Sequence, residues 1–202
     1  MESKIITQTI LFDCERLLDN NNYYLVKTRF KAIKDAEGIT SYFKKQSIKD
    51  DKDNYCRNYV IKLKNTEQII ACFSLKAGAI PYVENIEKVT ISKDSKLIPA
   101  IEIVNVAINE YFKNAVKQID EKIGKVLYFS VIEEIIKSVA SIIGVQTVYL
   151  FAANEKLANY YESWGFHKIE DLAYNSKLAQ EWQNTYSQNC IFMYKPTTEI
   201  IN

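Results

Sequence analysis

Glycine and proline are scarce in this chain, five and three in 202 residues, which excludes a loop-rich architecture and favours a dense, regular one. Neither sign of charge is in excess. The 26 basic and 25 acidic residues leave a net charge of +1, which gives no basis for non-specific binding to nucleic acid or to an anionic membrane. No apolar run approaches the ~20 residues that a bilayer-spanning helix needs. Asp13, Glu15, Arg16 and Asp19 interrupt any apolar core that a secretory leader would require. The four cysteines, Cys14, Cys56, Cys72 and Cys190, are scattered without a C-x-x-C pair. A disulfide framework and a metal site are both poorly supported, and reduced thiols are expected. There is no internal repeat and no low-complexity linker. What remains is 48% hydrophobic, enough for one domain over residues 1–202 with a proper core, expected in the cytoplasm.

Along the chain, Tyr23 to Val26 reads as a short first strand. Ile33 to Ile48 has helical spacing interrupted by Gly38, giving either two short helices or one broken one. Lys44 to Asp53 holds four lysines and three acids and reads as a solvated helix end and loop. Asn58–Leu63 and Ile69–Leu75 flank a polar stretch and predict a hairpin. Pro99 to Ile108 is a further strand. Val126 to Ile143 repeats apolar residues near the 3.6-residue period, with Gly144 placed to end the helix in the left-handed conformation. Thr147 to Phe151 is a mainly β-branched and aromatic run with no polar interruption, as suits a buried strand. Late strands are expected around Phe166 to Ile169 and Cys190 to Tyr194, with a helix over Ser176 to Tyr186 between them. A strand on each side of a long helix makes a crossover, so those two strands should be parallel. The hairpin makes the rest antiparallel. The fold class is therefore α/β (α+β): a mixed, mostly antiparallel central sheet flanked by helices.

The segment from Gly124 to Phe166 also resembles the GNAT superfamily of N-acetyltransferases at the residues with which that family handles acetyl-CoA. The family pattern N-x-x-A-x-x-x-Y-x-x-x-G-F here reads Asn154-Glu155-Lys156-Leu157-Ala158-Asn159-Tyr160-Tyr161-Glu162-Ser163-Trp164-Gly165-Phe166, with its Asn, Tyr, Gly and Phe in register and Leu157 at the alanine position. The helix tyrosine, five residues before the phenylalanine, falls at Tyr161. The family's [QR]-x-x-G-x-[GA] turn is degenerate here. In register it reads Ile119-Asp120-Glu121-Lys122-Ile123-Gly124, and only the final glycine is kept. The run Glu102-Ile103-Val104-Asn105-Val106-Ala107-Ile108 is similar to the catalytic strand of histone-acetylating members.

The resemblance implies acetyl-CoA as co-substrate, no metal, and two parallel strands that splay to admit the pantetheine arm. It implies cofactor contacts from the backbone of Val106 and Ile108, from the turn Lys122, Ile123, Gly124, Lys125 and Val126, and from Asn154. A helix N-terminus suits phosphate because its first N–H groups are unsatisfied and the dipole end is positive. For Asn154 a plain N-cap role stands equally open.

Acyl transfer to nitrogen needs a neutral amine, a stabilised oxyanion and a proton or positive field for the departing thiolate. Glu102 is the candidate base, because a desolvated carboxylate beside a cleft can take a proton from an ammonium. A glutamate on the solvent face of an amphipathic strand is the plainer alternative. Tyr161 is the candidate acid, with Tyr160 its competitor one position away around the helix. A half-buried core tyrosine is the plainer reading of either. His167 is expected at the surface, and Trp164 and Trp182 are expected to pack.

Three functions stay open on the sequence. The first is an N-acetyltransferase acting on a small amine, a protein lysine or an N-terminus. The second is an eroded acyl-CoA-fold module that binds without catalysis. The third is a toxin-like acetyltransferase aimed at charged tRNA, against which the balanced charge argues. The acceptor is unnamed, no membrane partner is expected, and a homodimer is left open.

Overall fold

A computed structural model describes residues 5–33, 36–83, 95–115, 123–168 and 190–201. In chain order they form strands β1 (Ile5–Gln8) and β2 (Phe12–Arg16), helices α1 (Asn22–Arg29), α2 (Glu37–Lys45) and α3 (Ser47–Lys52), and strands β3 (Arg57–Leu63), β4 (Ile69–Val83) and β5 (Ser95–Ile108). Helices α4 (Glu110–Ala115) and α5 (Ile123–Leu127) follow, then a π-helical turn (Tyr128–Ile132) and α6 (Glu133–Ile142). The chain continues through β6 (Thr147–Ala152), α7 (Glu155–Glu162), β7 (His167–Lys168), β8 (Ile191–Pro196) and α8 (Thr198–Ile201). The eight strands hydrogen-bond in the order β1-β2-β3-β4-β5-β6-β8-β7. The crossover pair β5 and β6 is parallel, whereas the β1–β2, β2–β3, β3–β4, β6–β8 and β7–β8 ladders are antiparallel. The chain divides into two compact units, one of residues 1–76 and 103–136, the other of 77–102 and 137–202.

In the first unit the predicted hairpin is present, with β3 and β4 joined through Asn65 in the left-handed conformation at φ 60°. The expected strand at Tyr23–Val26 is instead part of α1. Its aromatic and β-branched residues favour a strand locally. Burial overrides that preference, because Leu25, Val26 and Phe30 pack with Leu17, Phe43 and Val60 in one core. The Phe30 and Phe43 rings meet edge-on at 5.6 Å. Gly38 lies inside α2, and the helical stretch breaks at Gln46 between α2 and α3.

Two strands that the sequence reading missed, β1 and β2, precede α1. In β2 the two carboxylates are buried with partners. Asp13 accepts from the Gln8 side chain at 3.0 Å and from the Asn65 N–H at 3.1 Å. Glu15 lies 2.7 Å from the Lys62 ammonium and accepts from Asn20 and Asn22 at 2.8 and 2.9 Å. Burial alone would push the Glu15 carboxyl up. The hydrogen bonds from Lys62, Asn22 and Asn20 outweigh it and hold the group below its ordinary value of 4.5. A carboxyl lowered by folding adds stability above its unfolded value and loses that contribution as pH falls through its folded value. Glu15→Gln is therefore expected to cost stability at pH 7 and progressively less below about pH 4.5. Urea melts across that range check it, and a cost independent of pH would mean that the charge contributes nothing.

The stretch Lys44–Asp53 also departs from expectation, because Asp51 has a fully buried side chain rather than a solvated one. It holds Arg16 at 2.7 Å and Arg57 at 3.3 Å and accepts the Asn58 N–H at 2.9 Å. Asn58 donates to the Ser47 carbonyl at 2.8 Å and accepts from Ser74 at 2.7 Å, so α3, β3 and β4 share one polar network. At the end of β5, Asn109 bonds the carbonyls of Arg29 and Ile69 and accepts the Lys31 N–H.

In the second unit, Ile80, Ala100, Tyr149 and Phe192 form the core of one sheet face. Gly144 does not end α6 in the left-handed conformation. Among the described glycines only Gly165 has positive φ, at 87°. The expected helix over Ser176–Tyr186, and Trp182 with it, lies outside the described residues. No helix among those described is long and apolar enough to cross a membrane.

Candidate active site

The helix that the glycine turn was expected to open begins at Ile123, three residues before the predicted start, and runs without a break through the π turn to Ile142. Ile123 is buried, Gly124 and Lys125 are half-buried, and Val126 is 46% exposed. The Lys125 ammonium stands 5.8 Å from the centre of the Phe129 ring. Lys122 lies outside the described residues. On β5, Val106 and Ile108 are half-buried, and the Ile108 carbonyl accepts the Ile33 N–H at 3.3 Å. All of these belong to the first unit.

The remaining expected site residues belong to the second unit. Glu102 is 3% exposed, so the solvent-face alternative does not describe it. The β5–β6 ladder pairs Ala100 with Thr147, Ile101 with Val148 and Glu102 with Tyr149. Tyr149 donates its hydroxyl to Glu102 Oε2 at 3.1 Å. Sequence reading took Tyr149 as one apolar member of its strand, and only the register brings its hydroxyl to the carboxylate. Glu110, the carboxylate just beyond the end of β5, belongs to the first unit and is held by Lys31 at 2.6 Å.

Helix α7 carries the match to the family pattern. Asn154 is its N-cap: the backbone is extended there, and the side-chain oxygen accepts the Leu157 N–H at 3.0 Å. One face of α7 buries Ala158 and Tyr161. The Tyr161 ring meets Trp164 edge-on at 4.9 Å and Phe166 at 6.2 Å. Trp164 and Phe166 N–H groups both donate to the Tyr161 carbonyl, and Gly165 supplies the left-handed turn that makes this possible. Lys195 closes the turn by donating to the Trp164 carbonyl at 3.1 Å. Burial, with a smaller effect from Tyr160, pushes the Tyr161 phenol up to about 12. Tyr160 is half-buried and also packs on Trp164, at 5.0 Å. His167 stands 3.2 Å from Glu199 with both side chains nearly half exposed.

No family model matches the chain, and no curated protein matches it by sequence. Solved structures do. A tyrosine-to-phenylalanine mutant of the toxin AtaT, bound to the C-terminus of the antitoxin AtaR and acetyl-CoA, is 18% identical with a TM-score of 0.64 over 94% of this chain and 95% of that one. A mutant of KacT of the same kind is 14% identical with a TM-score of 0.64 over 94% of this chain and 97% of that one. AtaT complexed with acetyl-methionyl-tRNAfMet is 18% identical with a TM-score of 0.63 over 94% and 96%. Coverage this even on both sides extends the likeness well beyond the segment on which the sequence resemblance rested, to the flanking strands and helices. The mixed eight-stranded sheet of the described residues, the parallel β5–β6 pair and these alignments together give the conclusion that the chain has the fold of these toxins, which is GNAT-like.

Proposed function

We propose that this protein is a cytoplasmic N-acetyltransferase that moves the acetyl group of acetyl-CoA to a primary amine. The observation that carries this reading is the near full-length likeness to a toxin structure that holds acetyl-CoA. In this reading the backbone of Val106 and Ile108 bonds the pantetheine arm, and the amides from Lys122 to Val126 take the pyrophosphate. Asn154 lies near the cofactor's other side. Glu102 takes a proton from the acceptor's ammonium, the neutral nitrogen attacks the thioester carbon, and the C–S bond breaks. Tyr161, protonated at neutral pH, gives its proton to the departing sulfur and regains one from the second proton that the nitrogen sheds as the amide forms.

Among acceptors, the amino group of a charged tRNA is favoured by the AtaT complex with acetyl-methionyl-tRNAfMet. An α-amine titrates near 8 rather than near 10.4, so more of it is neutral at pH 7 than of a lysine, which reduces the demand on a base. A net charge of +1 requires the RNA contact to come from a local basic patch. The test is to offer radiolabelled acetyl-CoA together with methionyl-tRNA, a lysine peptide or small amines. Label on the aminoacyl group supports the tRNA reading. Label on the peptide or small amine alone keeps the acetyltransferase and removes the tRNA. No transfer, with acetyl-CoA bound, would leave the eroded binding module.

Gly124→Asp is expected to weaken CoA binding about tenfold or more, because it places a side chain and a like charge at the proposed phosphate turn. Calorimetry checks this, and unchanged affinity in a folded variant would move the pyrophosphate elsewhere.

A further inference from the structure

We propose that Tyr149 is the positioning residue for Glu102, and that Gly78 is glycine to make room for it. The proposal rests on the reading of Glu102 as the base. Glu102 and Tyr149 are paired at the end of the parallel ladder, although β5 continues to Ile108 and β6 to Ala152. Both side chains are buried, at 3% and 2% exposure. A carboxylate removed from water must be met by donors, and the Tyr149 hydroxyl is one, 3.1 Å from Oε2.

A tyrosine is long for a partner directly across the ladder, so its ring must settle to one side, and Gly78 leaves that side open. A Cβ at position 78 would overlap the Tyr149 hydroxyl and lie 2.9 Å from Cε1. Apolar neighbours hold the rest of the ring: Phe192 tilted at 5.6 Å and Phe151 edge-on at 6.1 Å. The phenol therefore has one well-packed position, and in it the hydroxyl meets Glu102. This orients the carboxylate from the side of β6. Along the same face, Tyr194 pairs with Tyr149 and His167 pairs with Tyr194.

The test titrates the Glu102 carboxyl by nuclear magnetic resonance in protein labelled with ¹³C at the glutamate carboxyl, the signal being assigned by its loss in Glu102→Gln. Removing a donor from the charged form favours the neutral one. Tyr149→Phe should therefore raise the midpoint by about one pH unit. Gly78→Ala should raise it too, with the tyrosine intact but displaced, and covers the case in which Tyr149→Phe fails to fold. In the transfer assay, Tyr149→Phe should lower kcat severalfold, leave the KM for acetyl-CoA unchanged, and add nothing to Glu102→Gln. An unchanged midpoint in Tyr149→Phe, or additive losses in the double variant, would overturn the positioning role. A shifted midpoint together with full activity in Glu102→Gln would leave the hydrogen bond standing and remove Glu102 as the base, so the two failures are distinct.

Discussion

Tyr161→Phe is expected to slow acetyl transfer by roughly 10²–10⁴-fold, the range of one acid–base group, while acetyl-CoA affinity stays nearly unchanged. The ring is 9% exposed and packed edge-on against Trp164, and phenylalanine can make the same contact. What is lost is the hydroxyl. Burial pushes that phenol up to about 12, and an acid is spent as pH rises through its own value. Tyr161 therefore imposes no alkaline fall in rate below roughly pH 11. An alkaline limb near pH 9 that vanished with some other residue would transfer the role there. A thiol titrates near 8.5, so the phenol is the weaker acid, and it serves the sulfur first as a hydrogen-bond donor to the developing charge, its proton crossing uphill only as the proton shed by the nitrogen replaces it. Tyr160→Phe is the control. Full loss in that variant, with none in Tyr161→Phe, would place the family's tyrosine one residue earlier.

The largest effect expected on stability is at Asp51, far in sequence from any residue given a chemical role. Its side chain has no exposure, and one oxygen binds two arginines while the other takes the Asn58 N–H. Asp51→Ala leaves both guanidiniums without their anion and a buried N–H without an acceptor. Deleting one partner of a buried pair typically costs 3–5 kcal/mol. Here the arginine side chains remain 33% and 38% exposed, and solvation of the orphaned charges brings the expectation to about 3 kcal/mol. Urea denaturation checks it. A loss under about 1 kcal/mol would mean that water replaces the carboxylate almost fully. Asp51→Asn should fall between, because it keeps one acceptor and drops the charge.

The same residue explains part of what the sequence hid. A run of four lysines and three acids is usually a wet surface, and nothing in its spacing marks which acid the distant Arg16 and the nearby Arg57 will both claim. The strands β1 and β2 escaped for a related reason. Asp13, Glu15 and Arg16 break the apolar alternation, and they are tolerated because the hairpin backbone meets Asp13, Lys62 and Asn22 meet Glu15, and Asp51 meets Arg16. By contrast the hairpin, the long helix and Thr147–Phe151 were legible, because each carries its period in its own residues. The crossover rule then made β5 and β6 parallel. The π turn could not be read, since Tyr128 to Ile132 keeps its apolar positions at near-helical spacing while the backbone takes in one more residue. At the candidate site, residue types were legible and register was not. The hydroxyl of Tyr149 counts only because Glu102 lies opposite it.

The cap on α7 fixes the polarity of whatever meets it. Asn154 spends its side-chain oxygen on the Leu157 N–H, so the amide nitrogen is the end turned outward, and an amide nitrogen can only donate. A molecule that docks at that helix start must therefore offer lone pairs, as a carbonyl, a hydroxyl or a phosphate does. Aspartate would cap the helix as well but present oxygen to oxygen, keeping the fold while reversing what the position can greet. Capping and recognition at this one residue thus use opposite ends of the same side chain, and chemistry can separate them where deletion cannot.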